Sequence, residues 1–308
     1  MDKNAKIYVA GSTGLVGSAI VKRLQEESYT NIITRTRHEL DLTDQKAVYE
    51  FYEIEKPEYV INSAARVGGI KANMTYPADF LFENLQIQNN IIWGAHAYNV
   101  RKLLFLGSSC IYPRNSPQPI KEEYFMDWKV EPTNEGYAIA KITWMKLCEK
   151  IFDQYGKQFI SCMPTNIYWP WDHFDENSWH VIPALIKRMH EAKVNWINEI
   201  SIWWTWTNRR EFLYVDDLAD ACIWLMNNYS EKQFLNVWTW EDISIKELAY
   251  LIKKIVGYEW NLVFDTNKPD GMPLRRLEVD ILNKCWWKYT TSLVNWLEKT
   301  YEYFLNIK

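Results

Sequence analysis

The chain has 308 residues, 48% of them apolar, with a formal net charge of −4 and a pI near 5.8. That is enough to bury one large core or two smaller ones, and a weakly acidic chain offers no general attraction to nucleic acid or an anionic membrane. No apolar run reaches the about 18 residues of a membrane span, and MDKNAKIYVAG is a charged lead into a strand with no signal-peptide pattern. Five cysteines (Cys110, Cys148, Cys162, Cys222, Cys285) without a CxxC spacing suit reduced thiols in a cytoplasm and argue against disulfides or a metal site.

In chain order, KIYVAG predicts a strand, SAIVKRLQEE a helix, NIITRT a strand, QKAVYEFYEIE a helix, and YVINSAA a strand after the Pro57 turn. ADFLFENLQIQNNIIWGAHAY then predicts a long helix, KLLFLGSS a strand, NEGYAIAKITWMKLCEKIFDQY a second long helix, and FISCMPTNIY a single strand. Continuous apolar strands alternating with helices imply an α/β fold with a doubly wound parallel sheet of Rossmann type. Beyond it, helices are expected at VIPALIKRMHEA, VDDLADACIWLMNNY, IKELAYLIKKIV and SLVNWLEKTYEYFL, separated by long irregular segments. Residues 1–165 are expected to form the dinucleotide-binding domain. Residues 166–308 should be mainly a smaller substrate-binding lobe, interleaved with the last sheet elements, the two making one cooperative body.

Gly11-Ser12-Thr13-Gly14-Leu15-Val16-Gly17 follows the first strand and opens the first helix. Glycine permits the tight turn and the close approach of backbone N–H groups to a pyrophosphate at the positive helix end. The strand before and the helix after supply the context that a lone glycine pattern lacks. After the second strand, where NAD sites usually place a carboxylate for the ribose hydroxyls, this chain has Arg35 and Arg37. A guanidinium there can grip a 2′-phosphate, which favours NADP; the alternative is a pair of solvated arginines. Asp41 and Leu42 are candidates for the adenine edge.

Gly107-Ser108-Ser109-Cys110 ends a strand, and Tyr137 and Lys141 follow on one face of a helix. There the ammonium can lower the phenol pKa and hold a nicotinamide ribose, while Ser108 shares a substrate oxygen with Tyr137. Tyr-xxx-Lys recurs by chance. The glycine turn, and a serine at the carboxyl edge of a strand where such sheets bind ligands, give it weight.

GSTGLVGSAI, NSAARVGGIKANMTYPADF, KLLFLGSSCIYP, EPTNEGYAIAK, MPTNIY, HVIPALI, RREFLYVDDLADA and KPDG together resemble the GDP-L-fucose synthase family of extended short-chain dehydrogenase/reductases over nearly the whole chain. The resemblance implies that GDP-4-keto-6-deoxy-D-mannose is epimerised at C3 and C5 and reduced at C4 by NADPH. It implies Cys110 and His180 as base and acid, groups able to titrate near neutrality; taken alone, they read as a buried thiol and an ordinary histidine. Ser108 and Tyr137 would hold the C4 oxygen, and Lys141 would tune Tyr137. The same resemblance lines the NADP site with Leu106, Gly107, Ser109, Pro164, Thr165, Asn166, Ile167 and His180, and gives Arg188, Trp203, Arg210 and Asp270 to the GDP end. It also implies a homodimer, with neither nucleic acid nor membrane as partner.

The departures from the family are of one kind. Its Tyr-Gly-Pro stands here as Tyr168-Trp169-Pro170, its Trp-Gly-Thr-Gly as Trp203-Trp204-Thr205-Trp206, its Asn-Val-Gly-Thr-Gly as Asn236-Val237-Trp238-Thr239-Trp240, and its Leu-Gly-Trp as Cys285-Trp286-Trp287. Trp128, Trp144, Trp171, Trp196, Trp260 and Trp296 fall where glycine is usual or readily accepted; Trp179 is ambiguous. A dozen such exchanges, each costing on the order of a few kcal/mol, would exceed the roughly 5–15 kcal/mol that holds a domain folded. The expectation is a source that reads UGA as glycine, its gene having been translated with a table that reads UGA as tryptophan. The competing reading is a tryptophan-rich lobe evolved as an aromatic platform.

Within enzymes, the alternative is another NADP-dependent epimerase or reductase of nucleotide 4-keto-sugars. From other classes come a non-catalytic NADP-binding protein, against which intact Ser108, Tyr137 and Lys141 count, and an aromatic carbohydrate- or nucleic-acid-binding surface, which rests on the doubtful tryptophans alone.

Overall fold

Strand β1 (Ile7–Ala10) is apolar and buried at every position, as a strand covered on both faces must be. The computed structural model describes residues 1–169, 181–203, 209–239, 242–265, 276–285 and 287–306. After β1 come α1 (Leu15–Glu26), β2 (Ile32–Ile33), α2 (Gln45–Glu55), β3 (Tyr59–Asn62), α3 (Ile70–Thr75), α4 (Pro77–Ala97), β4 (Lys102–Leu106), α5 (Glu135–Tyr155), β5 (Gln158–Pro164) and β6 (Asn166–Tyr168). The remainder is α6 (Val181–Val194), β7 (Glu199–Trp203), β8 (Arg209–Tyr214), α7 (Val215–Asn228), β9 (Leu235–Val237), β10 (Asp242–Ser244), α8 (Ile245–Val256), β11 (Asn261–Asp265), α9 (Asp280–Lys284) and α10 (Leu293–Asn306). Local signals set the helix ends. Asp44 accepts from the Ala47 N–H at the head of α2, and Ser244 and Glu247 form a reciprocal capping box at the head of α8.

Six strands form one parallel sheet in the order β2-β1-β3-β4-β5-β9. The order reverses at β1 and β3, so their carboxyl ends open the crevice in which a doubly wound sheet binds its ligand. Helix α1 packs on α7, while α4 packs on both α2 and α5, giving two helical layers around the sheet. Its last strand, β9, comes from the second half of the chain and pairs with β5. Two smaller sheets, β10-β8-β6 and β11-β7, join α6, α8 and α10 around Ile186, Met189, Phe212, Leu248 and Trp296.

Three sequence expectations change. NIITRT gives the sheet only Ile32 and Ile33, because Arg35 turns aside to Glu55 and the Thr36 N–H to Glu39. FISCMPTNIY is two strands: Pro164 has no N–H for the ladder, and past Thr165 the chain leaves the large sheet to pair with β8. The segments read as irregular hold β7, β8, β10 and β11; Glu199–Trp203 begins with the polar–apolar alternation of a half-buried strand, a signal the sequence reading passed over, whereas Asp242–Ser244 is too short to show a period. None of the five cysteines is in a disulfide, and among the described residues no helix is long and apolar enough to cross a membrane.

Candidate active site

The glycine turn is fixed by close approach. Gly11 has φ +78°, and a Cβ there would lie 2.8 Å from the Ala64 nitrogen. A Cβ on Gly17 would lie 2.1 Å from the Gly11 carbonyl oxygen, so α1 can start this close to the turn only with glycine at both places. Ser12 is buried, Thr13 and Gly14 are exposed, and Leu15 and Val16 are half-buried. Gly14 is the N-cap of α1 and supplies no side-chain acceptor for the first-turn N–H groups, an arrangement that suits an anion at the helix end.

Past β2, Arg35 bonds to Glu55 and to the Thr34 carbonyl and lies 5.5 Å from the Phe51 ring, whereas Arg37 is exposed. The Asp41 carboxylate accepts from the Thr43 backbone N–H and hydroxyl, which lowers its pKa. The Leu42 carbonyl accepts from the Asn90 side-chain amide at 2.9 Å.

Strand β4 is buried throughout and delivers Leu106 and Gly107 to its carboxyl edge. Ser108, in extended backbone, caps the short 3-10 turn Ser109–Ile111, its Oγ accepting from the Cys110 N–H at 3.4 Å. That turn packs on α5, where Tyr137 is half-buried and Lys141 buried. The Lys141 Nζ donates to the Leu106 carbonyl at 2.7 Å and lies 4.8 Å from the Phe105 ring centroid and 5.6 Å from that of Tyr137. Burial pulls its pKa down to about 8, opposed by Cys110 and Cys162.

The Tyr137 phenol is pushed up, by burial first and by Cys110 second. The Lys141 ammonium, which the sequence reading expects to lower it, is directed at the Leu106 carbonyl. Cys110, 5% exposed, acts electrostatically on both Tyr137 and Lys141. Through its backbone bond to Ser108, these four residues form one constellation. His180 lies outside the described residues.

Beyond β5, Thr165 is buried, Ile167 half-buried and Asn166 exposed. Glu211 of β8, 1% exposed, accepts from the Thr165 hydroxyl at 2.9 Å and from the Leu277 N–H at 2.5 Å, and its own carbonyl accepts from the Asn166 side-chain amide. The segment Pro164 to Ile167 is thereby tied to the strand that carries Arg210. Arg210 is half-buried, with Nη1 donating to the Arg209 carbonyl. Arg188 of α6 donates to the Ser201 carbonyl of β7, and burial lowers its pKa. The two arginines are carried by different elements, α6 and β8. The Trp203 side chain and Asp270 lie outside the described residues. Among those described, no cluster of His, Cys, Asp and Glu could hold a metal ion.

Sequence reading missed Glu211 and three amides of α4. Asn84 bonds to both backbone groups of Arg66, Gln88 donates to the Ala64 carbonyl, and Asn90 holds Leu42, so one helix fixes the loops after β3 and β2. The signal was available: Asn84 and Gln88, four apart on a largely apolar helix, share a face, and buried amides need partners.

The chain matches the NAD dependent epimerase/dehydratase family over residues 7–237. It is 51% identical to GDP-L-fucose synthase 1 of Arabidopsis thaliana, covering 99% of this chain and 94% of that protein. It is 46% identical to GDP-L-fucose synthase of Escherichia coli, covering 97% and 96%. Among solved structures, GDP-mannoheptose C4 reductase MlghC from Campylobacter jejuni, with NADP bound, superposes with a TM-score of 0.90 at 37% identity, covering 99% of each chain.

Proposed function

This chain belongs to the NAD dependent epimerase/dehydratase family and, within it, to the GDP-L-fucose synthases, and we propose that it epimerises GDP-4-keto-6-deoxy-D-mannose at C3 and C5 and reduces C4 to give GDP-L-fucose. What supports the chemistry is the gathering of Ser108, Cys110, Tyr137 and Lys141 at the carboxyl edge of β4, with the Lys141 Nζ 5.6 Å from the Tyr137 ring centroid and Cys110 acting electrostatically on both. We assign residues 1–165 to the cofactor and residues 166–308 mainly to the substrate.

The hydrogens on C3 and C5 are acidified by the neighbouring C4 ketone. Cys110 removes a proton from one face and His180 returns one to the other, while Ser108 and Tyr137 donate to the oxygen that carries the enolate charge. Tyr137 then delivers its proton to the C4 oxygen. Its raised pKa keeps that proton in place until the oxygen becomes basic, and the buried Lys141 ammonium stabilises the phenolate that remains.

The cofactor is NADP(H), which when bound supplies the hydride for C4. Gly11 to Gly17 would hold its pyrophosphate, Arg37 the 2′-phosphate, Asp41 and Leu42 the adenine side, and Lys141 the nicotinamide ribose. Leu106, Gly107, Ser109, Pro164, Thr165, Asn166, Ile167 and His180 would line the remainder. Arg188, Trp203, Arg210 and Asp270 would take the GDP end. We place the reaction in a cytoplasm that keeps Cys110 reduced. A homodimer through α4 and α5 would cover the exposed Phe82, Trp93 and Ile139; a monomer mass in solution would reject it.

The test is NADPH consumption with GDP-4-keto-6-deoxy-D-mannose, with GDP-L-fucose identified as product. Likeness to a GDP-mannoheptose C4 reductase makes a GDP-4-keto-heptose the second substrate to try. Oxidation of NADPH with that sugar alone would move the assignment.

A further inference from the structure

Eleven glycines and 17 tryptophans stand in the 308 residues, and sixteen of the tryptophans lie after residue 127. Ordinary usage would give roughly 22 glycines. The proposed chemistry uses only Trp203 among these indoles, and the fold exposes two conflicts in the others.

The first is at a helix end. Where α8 stops, Gly257 has φ +69°, its N–H donates to the Lys254 carbonyl, and the Tyr258 N–H reaches back to the Lys253 carbonyl at 3.0 Å. Where α6 stops, the same pair of bonds recurs: Trp196 N–H to Lys193 and, at 2.9 Å, Ile197 N–H to Ala192. This closure requires a left-handed residue, and Trp196 has φ +55°. A Cβ is disfavoured there, which is why glycine is the usual occupant. Ser28 and Asn99 end α1 and α4 in the same conformation with short polar side chains, whereas Trp196 holds an indole that is 78% exposed.

The second is in the core. Trp144 of α5 is fully buried, edge-on to Phe105, and its indole N–H has no hydrogen-bond partner among the described residues. A buried indole normally finds an acceptor, because an unmade bond there is costly. One residue type thus stands largely exposed on a glycine-type backbone, its ring edge-on to Trp260, itself one of the excess tryptophans, and elsewhere is buried in the core without an acceptor. A ligand-binding aromatic platform has no place for the fully buried Trp144.

We infer that these two tryptophans, with those at 128, 169, 171, 204, 206, 238, 240, 260, 286 and 296, are glycines in the protein its source cell makes, each encoded by UGA. UGA differs by one base from UGG, which specifies tryptophan, and by one base from GGA, which specifies glycine. A glycine tRNA that reads UGA therefore inserts glycine wherever a table assigning UGA to tryptophan writes an indole. The trade is one for one: exchanging the twelve leaves 23 glycines and 5 tryptophans. Glycine is scarce by about the amount by which tryptophan is in excess.

The deciding experiment is to read the codons in the source genome and to measure the tryptic peptides of the protein isolated from that cell by mass spectrometry. The expected result is UGA at all twelve positions, UGG at Trp93, Trp203, Trp224 and Trp287, and peptides lighter by one indolylmethyl group per UGA. UGG at the twelve positions would overturn the inference, and so would UGA codons whose peptides carry tryptophan. Neither readout depends on which sugar the enzyme uses. As a second arm, the chain as written and a twelve-glycine chain are expressed in parallel: the glycine chain is expected to fold with a higher melting temperature and greater soluble yield, and equal behaviour would refute the inference. Trp196→Gly alone, in the chain as written, is expected to raise the melting temperature.

Discussion

The carboxylate of Glu211 accepts a hydrogen bond from the hydroxyl of Thr165 at 2.9 Å, joining the strand that presents Arg210 to the segment proposed to line the cofactor. The other carboxylate oxygen accepts from the Leu277 N–H, so removing the carboxylate leaves two buried donors unpaired. Each orphaned donor costs about 1–3 kcal/mol. In the twelve-glycine chain, Glu211→Ala is expected to lower the melting temperature and raise the KM for NADPH. Glu211→Gln, which keeps one acceptor, should fall between. Equal KM values in all three would remove Glu211 from any positioning role.

Separate roles for Cys110 and Tyr137 can be read on one substrate. In D2O, the C3 and C5 positions exchange if the enolate forms, whether or not reduction follows. Cys110→Ala should suppress that exchange and turnover while leaving NADPH binding intact. Tyr137→Phe should retain part of the exchange, since Ser108 still donates to the oxygen, and lose reduction by roughly 10²–10⁴-fold, the usual worth of a positioned proton donor. Normal exchange in the Cys110 variant would transfer the base to another residue.

Burial of Lys141 makes its charge sensitive to mildly basic pH. Its pKa is about 8 in the fold against an ordinary value of 10.5, so the folded protein binds fewer protons than the unfolded chain between those values. The cost of burying the charge is present below about 8 and is relieved as pH rises toward 10.5, so this group alone makes stability increase over that window. Activity, which needs the ammonium, should decline in the same window. Lys141→Arg should remove that decline in whatever activity it retains, because a guanidinium stays charged. An unchanged basic limb in that variant would assign it to a different group.

Arg37 is exposed at the start of the turn after β2 while its neighbour Arg35 is occupied by Glu55. A charge-assisted bond to a phosphate contributes about 1.5–3 kcal/mol, or roughly ten- to a hundredfold in affinity. Arg37→Ala should therefore raise the KM for NADPH by about that factor and leave the KM for NADH nearly unchanged. A parallel rise for both cofactors would point to damage of the turn itself.

What the sequence determined by itself were features written in neighbouring residues. Helix α2 was readable from its apolar period, and α8 from its period alone; the caps at Asp44 and Ser244 agree. The glycine turn was readable from Gly11, Gly14 and Gly17 between a strand and a helix, and the pairing of Tyr137 with Lys141 from a spacing of four. The imbalance of glycine and tryptophan was also visible without coordinates. Tertiary structure decided the relations that span long stretches of chain. It moved Asn166–Tyr168 into a second sheet, tied Glu211 to Thr165, turned Lys141 toward the Leu106 carbonyl, and set Trp196 in a left-handed backbone. Local propensity and periodicity reach only a few residues. Which buried donor meets which acceptor is settled when distant segments lose water together and each must find a partner.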